Sequence, residues 1–205
     1  MNERFEQIIQ QARDIFMRYG LRSVTMDDIC RELGISKKTL YQFVSDKNDL
    51  IHKILSQDIR NDEQRMCECQ VVNLSAIEEL LAIQKMVGEK FKNMHSSIIY
   101  DLKKYYPESW NLVIQHRTGF IIKSVEENIL RGREQGLYRT DFNEKVISRM
   151  YATRMEAIFD PHVFEGLNLN PPDIYFESMA YHIRAIATPE GVRQFEHALT
   201  THIPS

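Results

Sequence analysis

The side chains with the most legible chemistry lie close together, at Lys37, Lys38, Thr39, Tyr41, Gln42 and Lys47. The lysines supply positive charge where a helix would meet a nucleic acid. Thr39, Tyr41 and Gln42 supply neutral donors for phosphates or base edges. No metal-ligating or nucleophilic set competes with them. Cys67 and Cys69 are close enough to suggest a metal motif, but a zinc site needs about four ligands and no Cys or His follows for many residues. The seven histidines form no HxxxH or HExxH pair. Glu126, Glu127 and Arg131 come nearest to a catalytic constellation and read more simply as a solvated helix face. No metal, no cofactor and no enzymatic activity are expected.

Local signals predict how the basic run is held. Thr25 N-caps a short helix, and Asp28 three residues on completes a capping box. Ile29, Cys30 and Leu33 fall on one face of that helix. Gly34 stands where it must stop, in a left-handed conformation that suits glycine. Ile35 packs the turn, and Ser36 caps a second helix over Lys37 to Gln42. Leu40, with Phe43, is left to anchor that second helix. Helix, glycine turn and helix give a DNA-binding helix-turn-helix layout. The competing reading is a solvated polar turn between two core helices. Upstream, apolar residues from Phe5 to Tyr19 recur at helical spacing, predicting a helix from Asn2 to Tyr19 ended by Gly20. Downstream, Asp46 and Asp49 cap a helix running to about Cys69.

The order Thr25, Ile29, Leu33-Gly34-Ile35-Ser36, Thr39-Leu40-Tyr41, Lys47 and Leu50 resembles the TetR (tetracycline-repressor) family of bacterial transcriptional regulators. Ala12, Ile15-Phe16, Gly20 and Val24 extend the resemblance upstream, so it covers roughly the first quarter of the chain. It implies an all-α homodimer, with an N-terminal DNA-binding domain and a C-terminal domain that takes a small-molecule inducer. Carried over by position, Thr25, Thr39, Tyr41 and Lys47 would contact phosphates, while Lys37 and Lys38 would face the groove. With Ser36 and Gln42 these make the expected DNA-binding set. Phe43 stands where the family usually has Tyr or His, Val44 where a Phe usually packs, and Cys30 where Ala is usual. The expected division is 1–46 for DNA binding and 47–205 for regulation and dimerisation, linked by the helix from about 46 to 69.

With 205 residues, 43% of them hydrophobic, the chain can bury one large core or two small ones. No apolar run approaches the length of a membrane span, and Met1-Asn2-Glu3-Arg4 leads into a helix without a signal peptide. Three cysteines fit a reduced cytoplasm. The net charge is −3, divided as +1 over residues 1–60 and −4 over the remainder. DNA affinity would then depend on a few placed cations and donors rather than on a broad basic field.

The rest of the chain reads as helix. One long helix is expected from Leu74 to Tyr105-Tyr106, with Asn73 or Ser75 as cap, and Pro107 breaks it. A second stretch from Glu108 to Gln135 carries a bend at Gly119 and ends at Gly136. The turn Gly136 to Asp141 resembles a linker of the same family's regulatory domains. Helices from Asn143 to Phe159, from Asp173 to Ala187, and from the Thr188-Pro189-Glu190 start signal to before Pro204 complete the chain.

Aromatic and methionine side chains between 91 and 164, among them Met155 and Phe159, suit a cavity for a mainly apolar inducer. Trp110, Tyr106, Phe120 and Tyr151 are its candidate walls. The stripe Ile174, Met179, Ile183, Ile186, Val192, Phe195 and Leu199 is read as a homodimer face, although the same stripe would also serve to close the core of one chain. The function implied is a ligand-responsive DNA-binding repressor. The alternative is a helical protein-interaction adaptor whose helix-turn-helix no longer touches DNA.

Overall fold

The computed structural model describes residues 3–71, 74–158, 160 and 162–202, with the side chains of 69–71, 155 and 202 left out of account. Asn2, Asn73, Phe159 and Pro204, together with the side chains of Cys69 and Met155, therefore lie outside the described residues. Eleven α-helices account for most of the rest: α1 Glu3–Tyr19, α2 Met26–Leu33, α3 Lys37–Leu40, α4 Lys47–Val71, α5 Ala76–Lys92, α6 Ile98–Tyr105, α7 Pro107–His116, α8 Ile122–Glu134, α9 Glu144–Ile158, α10 Pro171–Ile186 and α11 Pro189–His202. Among the described residues there is no strand; Tyr138 and Ala187 form an isolated antiparallel bridge. The all-α expectation stands.

The chain forms two compact units. One holds residues 1–62 and 93–115, the other 63–92 and 116–205. This division differs from the one expected at residue 46, because α6 and α7 fold with the first unit. The first core gathers Ile8, Ala12 and Phe16 of α1 with Ile29, Leu40, Leu50, Ile51, Ile98 and Leu102. Val44 is buried there too, and Phe43 stacks on Phe5 with ring centroids 5.3 Å apart. These two departures from the family pattern, and Cys30 as well, thus pack into this unit.

The long helix expected from Leu74 to Tyr105 is two helices. Lys92 ends α5, and Asn93-Met94-His95-Ser96-Ser97 precedes α6. Asn and Ser favour local side-chain bonds over helix continuation. Here the His95 amide donates to the Met17 carbonyl at 2.8 Å, while the Ser97 amide donates to His95 Nδ1 at 3.2 Å. A hydrophobic stripe cannot reveal a break whose backbone partner lies on α1. At the α5 start, Ser75 and Glu78 form a reciprocal cap, with N–H to oxygen distances of 2.8 and 3.2 Å. Pro107 does end a helix, and it also opens the next one. At Gly119, where a bend is expected, the chain makes a π-helical turn over Arg117–Ile121. The helix expected from Asp173 begins two residues earlier, capped by Asn170 with Pro171 and Pro172 in its first turn.

The core of the second unit is built from Ile77, Leu80, Val125, Ile129, Tyr138, Met179, Ile183, Ile186 and Phe195. The stripe expected to pair two copies is largely used here. Met179, Ile183, Ile186 and Phe195 are at most 2% exposed, and Ile174 is buried with Ile158 and Tyr175. Val192 and Leu199 are half-buried. These side chains close the unit's own core, which is the use that periodicity could not separate from a dimer face.

Candidate nucleic-acid interface

The helix-turn-helix forms as its local signals dictate. The Thr25 hydroxyl accepts from the Asp28 amide at 3.1 Å, and the Thr25 amide donates to Asp28 Oδ2 at 2.9 Å. Two otherwise orphaned donors are thereby satisfied. Gly34 ends α2 at φ +61, and its amide bonds back to Arg31. Ser36 caps α3, accepting from the Thr39 amide at 3.1 Å. The helix is shorter than expected, closing at Leu40 with Tyr41 as its cap, and Gln42 and Phe43 continue as a turn. Leu40 is fully buried and fixes the piece; removing such a side chain costs about 2–5 kcal/mol. Lys37, Lys38, Tyr41 and Gln42 are exposed, and Thr39 is half-buried.

The expected DNA-binding residues differ in how free they are. Thr25 is committed to its capping box, where its hydroxyl lies 2.6 Å from Asp28 Oδ2. Ser36 and Thr39 share a hydroxyl–hydroxyl bond of 2.9 Å. Lys37 is paired with Asp27 at 2.7 Å, and this bond holds its ammonium above the usual lysine range. Asp27, exposed beside the basic run, is a partner that sequence reasoning did not assign. Lys38 has no ion pair among the described residues. Lys47 does not project. Its ammonium lies 3.5 Å from the Arg22 carbonyl and 5.8 Å from the centre of the Phe16 ring, and burial lowers its pKa. To reach a phosphate, Lys47 must leave that position.

The four candidate ligand walls are not brought together in one unit. Tyr106 and Trp110 pack on the first core. Lys103 lies 5.0 Å from the Trp110 ring centre, and burial raises the Tyr106 hydroxyl pKa. Tyr106 also lines an open cleft of about 530 Å³ with Ser45, Asp46, Asp49, His52 and Glu108. That lining is too polar for the mainly apolar ligand expected. Phe120 and Tyr151 belong to the second unit. Phe120 stacks on His116 at 5.5 Å, and Tyr151 meets His182 edge-on at 4.6 Å.

Around Tyr151 lies a polar cluster that sequence reasoning missed. The Arg154 guanidinium carbon is 3.6 Å from the Tyr151 ring centre and 4.8 Å from that of Tyr175. Phe91 packs edge-on against Tyr175 at 5.5 Å. Arg154 Nε and Nη1 and His182 Nε2 are buried without a hydrogen-bond partner. Burial, and then the charge of Arg154, push the His182 pKa down to about 3. A sequence signal was present. Arg154 interrupts the stripe Ile147, Tyr151, Ile158 at helical spacing, and His182 lies inside the stripe of α10.

Residues 8–54 match the model of the bacterial regulatory proteins, tetR family. YvaF of Bacillus subtilis, an uncharacterized HTH-type transcriptional regulator, is 24% identical over 145 residues, covering 68% of this chain and 73% of that protein. A transcriptional regulator from Cytophaga hutchinsonii has a similar structure, with TM-score 0.72 and 17% identity over 91% of this chain and 100% of that one. So does a regulatory protein TetR from Rhodobacter sphaeroides, with TM-score 0.72 and 12% identity over 89% of this chain and 98% of that one. At such identities the structural likeness shows the fold. Fold and relatives define a DNA-binding transcriptional regulator rather than an enzyme. The match over residues 8–54 and the shared fold support a TetR-family transcriptional regulator, and members of that family usually act as repressors.

Proposed function

We propose that the protein is a homodimeric, sequence-specific repressor in the bacterial cytoplasm, released from its operator by a small, mainly apolar ligand. The observation that carries the DNA-binding part is the outer face of α3. Leu40 fixes the helix from beneath, Lys37 and Lys38 stand exposed on it, and Tyr41 and Gln42 stand exposed in the turn that follows. In this reading Lys37, Lys38 and Gln42 enter the major groove. Thr25, Ser36, Thr39, Tyr41 and Lys47 hold phosphates, with Lys47 swinging away from the Arg22 carbonyl on binding. Tyr41→Ala with Lys47→Ala should weaken binding to all operator sequences alike. Selection from random DNA followed by anisotropy measures this, and unchanged affinity in the double variant refutes the placement.

Dimerisation is assigned to the outer faces of α10 and α11. Tyr181 stands 76% exposed there, and the Arg184–Glu196 pair, at 2.8 Å, joins the two helices. Tyr181→Asp should then give a folded monomer with little operator affinity, whereas Ile183→Asp should unfold the second unit. Ligand release requires tighter binding to the DNA-incompetent state. A hundredfold loss of operator affinity needs about 2.7 kcal/mol of coupling. α4, whose residues are shared between both units, carries the signal in this reading.

A further inference from the structure

Arg154 of the second unit is half-buried as a residue, yet its Nε and Nη1 are shut off from water. Buried charges in folded proteins are paired, because an isolated ion loses its hydration without return. Arg154 has no carboxylate within ion-pair distance among the described residues. The remaining residues contain no Asp or Glu. The faces of Tyr151 and Tyr175 compensate part of the charge through cation–π contact. The Tyr175 hydroxyl hydrogen-bonds to the guanidinium, but Nε and Nη1 remain unpartnered in the interior.

No neighbouring group supplies the missing negative charge. Burial raises the Tyr175 hydroxyl well above the ordinary phenol range, so it stays neutral. His182, itself 9% exposed, stays neutral as well and offers Nε2 as a further unpartnered ring nitrogen. The cluster therefore presents one full positive charge and several neutral polar atoms. Its surroundings are apolar, with Val87, Phe91, Ile158, Phe164 and Ile174 forming the adjacent core.

We propose that Arg154, with His182 and Tyr175 beside it, is the anchor for the carboxylate of a small organic acid whose apolar or aromatic body lies toward Phe91 and Ile158. A monoanion matches the single uncompensated charge, whereas a phosphate dianion would leave one negative charge unpaired in the interior. Arg154 N–H groups donate to the carboxylate oxygens, a charge-assisted bond. The assignment rests on the reading of the protein as a ligand-responsive regulator and names the chemical class of its effector.

The test uses the full chain and matched probes: phenylacetate and hexanoate, their amides phenylacetamide and hexanamide, and choline as a cation. Binding is read by calorimetry and thermal shift, and DNA release by anisotropy on a selected operator. The acids should bind at least tenfold more tightly than their amides, and choline not at all. Arg154→Met should abolish the preference for acid over amide while melting no lower than the unliganded wild type. If Arg154→Met does not fold, the acid-to-amide ratio of the wild type decides the matter alone. Equal binding of acid and amide, binding of choline alone, or no binding by any probe would overturn the anion site. Acid binding that depends on Arg154 but releases no DNA would support the site and refute ligand release. Release by amides as well as acids would do the reverse.

Discussion

In the proposed DNA complex Lys37 exchanges one partner for another. Its ammonium is 2.7 Å from Asp27 Oδ1, and the two side chains are 61% and 62% exposed. An exposed pair of this kind contributes little to stability, so a phosphate can replace the carboxylate readily. Each cation that neutralises a phosphate steepens the dependence of log K on log salt by about 0.9. A dimer that engages Lys37, Lys38 and Lys47 should show a slope of about −5.4; if Lys47 stays by the Arg22 carbonyl, the slope falls to about −3.6. Lys37→Ala removes two cations per dimer and should flatten the slope by about 1.8. Asp27→Asn should act in the opposite direction, freeing Lys37 and removing a carboxylate from the DNA-facing side. At roughly 7 Å from a phosphate in water, two such charges per dimer weaken binding about sevenfold unscreened, and about twofold in physiological salt. Asp27→Asn should therefore bind about two- to sevenfold tighter, more so at low salt. It should also lose a little stability, because Asp27 lies in the first turn of α2. Anisotropy between 50 and 200 mM salt, with folded fractions checked by circular dichroism, measures all three proteins. An unchanged slope in Lys37→Ala, or weaker binding by folded Asp27→Asn, would refute the idea that Lys37 exchanges Asp27 for DNA.

Two further predictions concern the second unit. A Cβ at Gly132 would lie 2.1 Å from Tyr138 Cδ2, and the Tyr138 hydroxyl donates to Asn128 at 3.2 Å. Overpacking and loss of that bond, less the helix-propensity gain of about 1 kcal/mol, predict a net loss of about 2–4 kcal/mol for Gly132→Ala in urea unfolding; unchanged stability would refute this packing. His182 has a folded pKa pushed down to about 3 from 6.5, so the unfolded chain takes up the proton first. His182 should not alter stability above pH 6.5, should lower it progressively below that value, and should account for about 2 kcal/mol of loss at pH 5. His182→Gln should remove that part of the acid sensitivity, and identical pH profiles for variant and wild type would refute it.

The helix-turn-helix was legible because each of its signals acts over three or four residues. Thr25 with Asp28, Gly34 at positive φ, and Ser36 with Thr39 need no tertiary partner to be recognised. The capped start of α4 and the Thr188-Pro189 start of α11 were legible for the same reason, as was the all-helical class from apolar periodicity. Tertiary structure decided what periodicity leaves degenerate. An apolar stripe does not say whether it faces its own chain or a copy, and Met179, Ile183 and Phe195 turned inward. It does not show a break whose hydrogen-bond partner is remote, as at His95 and Met17. Nor does a cation in sequence declare its partner. Lys37 found Asp27 across the turn, Lys47 found the Arg22 carbonyl, and Arg154 came to rest between Tyr151 and Tyr175 with no anion beside it among the described residues. Caps and turns are fixed by short-range geometry, whereas pairing and burial depend on which distant surfaces the packed helices bring together.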